Sequence, residues 1–215
     1  MQHTFLEDLI IKEDEEAIKK LLSEKPELVN EETSHQVSPL MLSCYFNKKQ
    51  ITPILLQFIK DISLQEASAA GKFDEVAHQI FKNPNQINNF SNDGFTSLGL
   101  ACYFGQEEVA RYLVLKGADV NLPSKNGYHV FPLHSAVVGN FTGISKMLIE
   151  NGAEVNVAQL NGLTPLHSAA QNGNIELIIL LLEKGADTTL KMEDGKLPAD
   201  LAMAKGFIEI ADILA

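Results

Sequence analysis

Hydrophobic positions in this chain fall into short groups, and glycine or proline punctuates them at near-regular intervals. The clearest group opens at Pro165. It runs through Leu166, the small pair Ala169 and Ala170, a glycine at 173, the aliphatic stretch Leu177 to Leu182 and a second glycine at 185. Proline at a first helical position sacrifices no hydrogen bond, and its φ is already helical. Thr164 just before it offers an N-cap hydroxyl. Ala169 and Ala170 leave room for a neighbouring helix to approach. Gly173 and Gly185 tolerate the positive φ that ends a helix, and Asp194-Gly195 supplies a turn. The pattern predicts two short antiparallel helices followed by a turn.

The group recurs. Pro132-Leu133-His134-Ser135-Ala136 returns 33 residues later as Pro165-Leu166-His167-Ser168-Ala169, and Pro198-Ala199-Asp200-Leu201-Ala202 follows after a further 33. Gly117-Ala118-Asp119-Val120-Asn121 returns as Gly152-Ala153-Glu154-Val155-Asn156 and then as Gly185-Ala186-Asp187. The residue before each first-helix leucine phases the weaker copies. These anchors are Phe5, Pro39, Ser63, Ser97, Pro132, Pro165 and Pro198, at spacings of 34, 24, 34, 35, 33 and 33.

With that period and with Thr164-Pro165-Leu166-His167, the chain resembles the ankyrin repeat family. From Leu64 onward, through Asp93-Gly94-Phe95-Thr96 and Leu98-Gly99-Leu100, it also resembles stand-alone bacterial ankyrin repeat proteins, a group the resemblance ties to no defined activity. The resemblance implies an all-α solenoid of helix-turn-helix units joined by hairpin or turn fingers. Residues 1–215 are expected to form one domain of about seven repeats with degenerate caps and a single lengthwise core, leaving no room for a catalytic domain.

Two spacings break the rule. Between Pro39 and Ser63 the period falls to 24 residues, so about nine residues, the length of a finger, are missing around Phe58 to Ser63. This segment reads either as a degenerate N-terminal cap or as a bend that shapes a partner's seat. Nearby Pro53 would cost about 3 kcal/mol inside a helix, so that helix is expected to start late, with Thr52 as its cap. Between Ser97 and Pro132 two extra residues lengthen a finger tipped by Tyr128 and His129. Its rings either contact a partner or fold back.

Composition narrows the function. The 215 residues include 17 Lys and Arg against 28 Asp and Glu, a net charge of −11. That balance argues against nucleic acid and anionic membranes, both of which draw on clustered basic residues. Ten of the acids lie in the first 32 positions, as a solvated cap or as a patch for a basic partner. At the other end Asp200 replaces the repeat's histidine and the chain stops at Ala215, so both ends are expected to be capped by polar outer faces and the array to be complete. No signal segment or membrane-length apolar run is evident. With only two cysteines, a cytoplasmic setting is the default.

Candidate chemistry is sparse. His134 and His167 precede Ser135 and Ser168, but they repeat at one position, where the resemblance assigns histidine to hydrogen bonds between adjacent loops. A triad needs different groups converging on one point. Cys44 and Cys102 share the phase of Ala170 and are expected to be buried thiols in non-adjacent repeats. No CxxC, HExxH or phosphate-loop pattern occurs, so no metal or cofactor is expected.

The resemblance points instead to a concave face, made by first-helix ends and finger tips. The helix ends carry Tyr45 and Phe46, Ala69 and Ala70, Tyr103 and Phe104, Val138 and Gly139, Gln171 and Asn172, Ala204 and Lys205. The fingers add Phe95, Tyr128, His129, Leu160 and Leu163. Aromatic residues are 7% of the chain, yet they gather here, and interfaces favour such anchors. The expectation is a monomeric, non-enzymatic adaptor or scaffold that binds a protein through this face. The alternatives are a small-ligand or enzymatic pocket between the fingers, around His129 and His134, and a structural subunit that self-associates through Ile179.

Overall fold

The computed structural model describes residues 5–215, and among them fourteen α-helices form seven consecutive pairs. The pairs are α1 (Phe5–Lys12) with α2 (Glu15–Glu24), α3 (Pro39–Tyr45) with α4 (Ile51–Leu56), and α5 (Leu64–Ala69) with α6 (Phe73–Lys82). They continue as α7 (Ser97–Tyr103) with α8 (Glu107–Leu115), α9 (Pro132–Val138) with α10 (Thr142–Glu150), α11 (Pro165–Asn172) with α12 (Ile175–Glu183), and α13 (Pro198–Ala204) with α14 (Ile208–Leu214). The architecture is the all-helical solenoid expected from the repeat.

Local chemistry sets the helix starts. The Ser38, Thr96 and Thr164 hydroxyls accept the N–H groups of Met41, Gly99 and His167, and Ser63 forms a reciprocal capping box with Glu66. α4 begins late: Pro53 is its third residue, so its ring breaks no hydrogen bond. Thr52 is not the cap. It lies inside the helix, and its hydroxyl meets the Lys48 carbonyl at 3.3 Å and Ser43 Oγ at 2.9 Å.

The first helices stack closely in a row from α5 to α13 because they meet on small residues: Ala67, Ala101, Ala136, Ala169 and Ala202 are fully buried. In two pairs the turn between the helices lies over an aromatic ring of the next pair. A Cβ on Gly105 would sit 2.5 Å from the Phe141 ring, and one on Gly173 2.5 Å from the Phe207 ring, with φ of +70° and +68°. Both positions therefore need glycine twice over, for the backbone and for the space.

Polar ties then set the register. Asn121 donates from Nδ2 to the Gly152 carbonyl (2.9 Å) and accepts the Glu154 N–H (2.9 Å). Asn156 repeats this with the Gly185 carbonyl (2.9 Å) and the Asp187 N–H (2.8 Å). At the finger tips the Lys125 N–H donates to the Gly94 carbonyl, Leu160 to Tyr128 and Glu193 to Asn161, at 2.8, 2.8 and 2.9 Å.

The expected single core is in fact divided. One cluster runs from Leu64 to Leu214, and a second joins α1 to α4 through Leu6, Ile18, Leu40 and Leu55. They meet through the half-buried Ile62 and a small inner cluster of Met41, Ala69 and Leu100. The physical reason is the shortened segment 57–63, which passes directly from α4 to α5 with no finger. The expected polar outer face is only partial on the last pair, where Met203, Ile208 and Ile213 are exposed among Lys205, Glu209 and Asp212.

Asn121→Ala removes both bonds to the following turn while leaving the helices untouched. At about 1 kcal/mol net per hydrogen bond, discounted for partial exposure, it should cost about 1–2 kcal/mol. Urea denaturation would measure this, and an unchanged midpoint would show that the ladder carries no stability.

Candidate functional site

α3 and α7 both end in a Tyr-Phe pair, and between them α5 ends in Ala69 and Ala70. Because those alanines are small, rings from the two outer helices meet across the intervening repeat. Tyr45 lies 6.0 Å from Tyr103 and 5.3 Å from Phe104 between ring centroids, and Tyr103 meets Phe104 edge-on at 5.0 Å. Such tilted and edge-to-face contacts suit the ring quadrupoles. Met41, Ala69 and Leu100 form the floor, with Phe95 packed against them.

One ring of each pair is exposed and one is held. Tyr103 is 44% exposed and Phe46 42%, while Tyr45 and Phe104 are half-buried. Phe46 also takes the edge of the His35 ring at 5.3 Å. The Tyr45 hydroxyl donates to Asp93 Oδ2 at 2.6 Å, fixing the ring to the finger above it. Burial first, then the Asp93 carboxylate, push this phenol well above its ordinary pKa, so it stays a neutral donor. Beyond the rings the surface continues as a trough of about 280 Å³ lined by Tyr45, Tyr103, Phe104, Val138 and Phe141.

The remaining candidates are more scattered. Tyr128 is 58% exposed on the long finger, and His129 beside it is exposed with φ of +53°. Leu160 is 45% exposed, whereas Leu163 and Phe95 are half-buried. The Leu163 carbonyl is occupied by His134. Gln171 is exposed. Asn172 is exposed too, but its amide donates to the Val137 carbonyl at 2.9 Å, tying α11 to α9. Phe141 had no signal in the sequence as a groove residue, because its role depends on the glycines packed over it.

The repeated His-Ser pairs serve the scaffold. His134 Nε2 donates to the Leu163 carbonyl (3.0 Å) and His167 Nε2 to the Lys196 carbonyl (3.2 Å), each bridging to the next finger. His167 Nδ1 accepts from Thr164, 2.8 Å from its hydroxyl. Phe131 stands in that place for His134, whose buried Nδ1 has no hydrogen-bond partner among the described residues. Burial holds His134 down to about 4 and also lowers His167, against the pull of the carbonyls they bridge. Both thiols are free. Burial raises Cys44 to about 11 and Cys102 higher still, which leaves neither nucleophilic. Among the described residues no group of His, Cys, Asp and Glu could hold a metal ion, and no helix is long and apolar enough to cross a membrane.

Comparison with known proteins agrees with the repeat. The profile described as ankyrin repeats (3 copies) matches residues 8–124, 64–159 and 133–215. The chain is 35% identical over 101 residues to human BCL-6 corepressor-like protein 1, covering 47% of this chain and 6% of that protein. It is 30% identical over 139 residues to rat ankyrin repeat and SAM domain-containing protein 6, covering 65% of this chain and 13% of the relative. It is 29% identical over 162 residues to the probable 26S proteasome regulatory subunit p28 of Saccharomyces cerevisiae, covering 68% and 70%. The chain thus spans only a small part of the first two relatives and most of the third.

The His134 site makes a pH prediction. Its folded-state pKa lies below the ordinary 6.5, so its contribution is complete above that value and is lost as pH falls towards 4. Stability should drop by up to about 1.4 kcal/mol per pH unit across that window. His134→Gln keeps a donor for Leu163 but cannot titrate, so its urea midpoint should fall less steeply between pH 6.5 and 4. Parallel profiles for the two proteins would refute the assignment.

Proposed function

The chain belongs to the ankyrin repeat family, and on that premise we propose that it is a non-enzymatic adaptor or scaffold that holds another protein against its concave face. Ankyrin repeats act as protein-protein interaction modules. Two relatives carry names that tie them to other proteins: the mouse RelA-associated inhibitor, 30% identical over 100 residues, and the yeast proteasome subunit. The observation that carries the reading for this chain is the ring cluster. Tyr103 and Phe46 expose large apolar area from rings already held in place by Phe104, His35 and the Tyr45–Asp93 bond.

Docking on this face is rigid. Side chains that are fixed before binding lose little entropy on contact, and each rotamer-rich chain spared ordering saves about 0.5–1.5 kcal/mol. The long finger adds the exposed Tyr128 to the surface available to a partner. The acidic composition and the two unreactive thiols suit a cytoplasmic protein acting as a monomer.

Capture from native lysate on immobilised protein tests the reading. Tyr103→Ala and Phe46→Ala should lower the urea midpoint only modestly, because each ring is partly exposed (44% and 42%) and packs at the surface, outside the buried core. Capture of the specific partners should fall at least about tenfold, the effect of removing one anchor worth roughly 1.4 kcal/mol or more. Equal capture of the same proteins by wild type and both variants would overturn the assignment.

A further inference from the structure

The ladder of finger-tip hydrogen bonds has one interruption. In each later finger the residue just before the turn dipeptide donates its N–H to the finger before it. Lys125 precedes Asn126-Gly127 and donates to Gly94; Leu160 precedes Asn161-Gly162 and donates to Tyr128; Glu193 precedes Asp194-Gly195 and donates to Asn161. In the finger at 90–96, closed by the Phe90–Thr96 bridge, the equivalent residue is Asn92, before Asp93-Gly94. Its N–H makes no bond among the described residues, because residues 57–63 supply no finger to receive it.

A cleft of about 440 Å³ occupies the position of that finger. Gln36 and Val37 form one wall, Asn92 and Asp93 the other, and Met41 and Glu66 lie between them. Three carboxylates, those of Glu32, Glu66 and Asp93, line the cleft, and no Lys, Arg or His does. Glu66 accepts hydroxyls from Ser38 and Ser63 and the Ser63 N–H, and Asp93 accepts hydroxyls from Tyr45 and Ser91. These donors are neutral, so they orient the carboxylates without cancelling their charge. The cleft is continuous with the ring cluster, since Met41 belongs to both and Asp93 holds Tyr45.

We propose that the cleft receives a basic loop of a partner protein, which takes the place of the missing finger. A backbone carbonyl of that loop accepts the Asn92 N–H and so continues the ladder. A Lys or Arg side chain beside it reaches Glu66 and Glu32, which form no ion pair among the described residues; the one cation seen against the lining, the Lys125 ammonium, is held over the Phe90 ring at 4.2 Å. The shape asks for a turn of polypeptide, because the neighbours on both sides are themselves turns, and the charge asks for a basic one. The inference rests on the protein-binding reading above and adds to it the chemistry of the partner.

The position of Asn92 permits a clean test. It is the second residue of a turn closed by the Gly94 N–H to the Ser91 carbonyl at 3.0 Å. Proline is favoured at that place in a turn, so Asn92→Pro deletes the N–H and breaks no bond the fold makes. Glu32→Lys is an independent variant, because Glu32 is exposed and pairs with nothing among the described residues. A display library of disulfide-closed ten-residue loops would be selected on the intact protein. The selected loops would then be titrated by fluorescence polarisation against wild type, Asn92→Pro, Glu32→Lys and Tyr103→Ala.

The expected loops are rich in Lys and Arg, bind at least about tenfold more weakly to Asn92→Pro and to Glu32→Lys, and slow amide exchange at Asn92. Failure to select any loop, loops without basic residues, or loops indifferent to Asn92→Pro would each overturn the proposal. Loops that lose affinity on Tyr103→Ala but not on Asn92→Pro would overturn it while the ring cluster stands as the contact surface. A solution mass of two chains that reverts to one in Asn92→Pro would assign the cleft to a second copy, and would overturn it as well.

Discussion

No helix pair in this molecule can bury its apolar side alone, and everything else in the structure depends on that. Each pair presents one face to the unit before it and one to the unit after it, so stability resides in the interfaces. Burial dominates the energetics: a fully buried leucine contributes about 1.5–3 kcal/mol, and Leu98, Leu113, Leu133, Leu148, Leu166 and Leu181 all lie inside the long cluster. The hydrogen bonds are weaker, near 1 kcal/mol each, and serve another purpose. Apolar faces would tolerate sliding. The Asn121 and Asn156 amides, the His134 and His167 bridges and the finger-tip bonds do not, because each has one partner at one offset.

The shortened segment 57–63 matters because it removes these register devices at a single junction. Across it no asparagine amide, no histidine bridge and no finger bond is present among the described residues. What joins the two sides is Ile62, the Met41–Ala69–Leu100 cluster, the Ser38–Glu66 bond and, reaching one repeat further, Tyr45 to Asp93. The polar ties at the junction are thus made by the same carboxylates that line the cleft. Whatever approaches Glu66 and Asp93 acts on the groups that hold the first two repeats to the rest.

Much of the architecture was legible from the chain, for reasons visible at particular residues. Proline at 39, 132, 165 and 198 marks helix starts because its lost N–H has no function there, and the glycines mark ends because other residues resist positive φ. Those are local requirements, and local requirements leave a signature. The shortened segment behind the divided core did leave one, the 24-residue spacing, but its effect lies between units, so the spacing alone did not show that the core would split. Asn121 could be seen to recur but not to act, since its partners are backbone groups of the following repeat. The Tyr-Phe pairs were visible as an excess of aromatics at helix ends. Which ring faces outwards was not, because the answer depends on Ala69 and Ala70 in the repeat between them. Thr52 was misread as a cap for a similar reason: its hydroxyl found the Ser43 side chain nine positions back.

On the proposed reading the groove and the cleft divide the work of recognition along familiar physical lines. A net charge of −11 would raise the encounter rate with a basic surface, but charge at an exposed rim contributes little to dwell time. Rings contribute dwell time, because they remove a large apolar area from water. In this chain the two meet at Asp93: one oxygen of its carboxylate holds the ring of Tyr45, and the residue lines the acidic cleft. A side chain that orients an aromatic anchor on one side and faces a cationic approach on the other couples the two contributions, so a partner that satisfies only one of them meets half a surface. Selectivity then follows from geometry, since the distance from the Asn92 N–H to the Tyr103 ring is set by a scaffold whose register the repeat bonds have already locked.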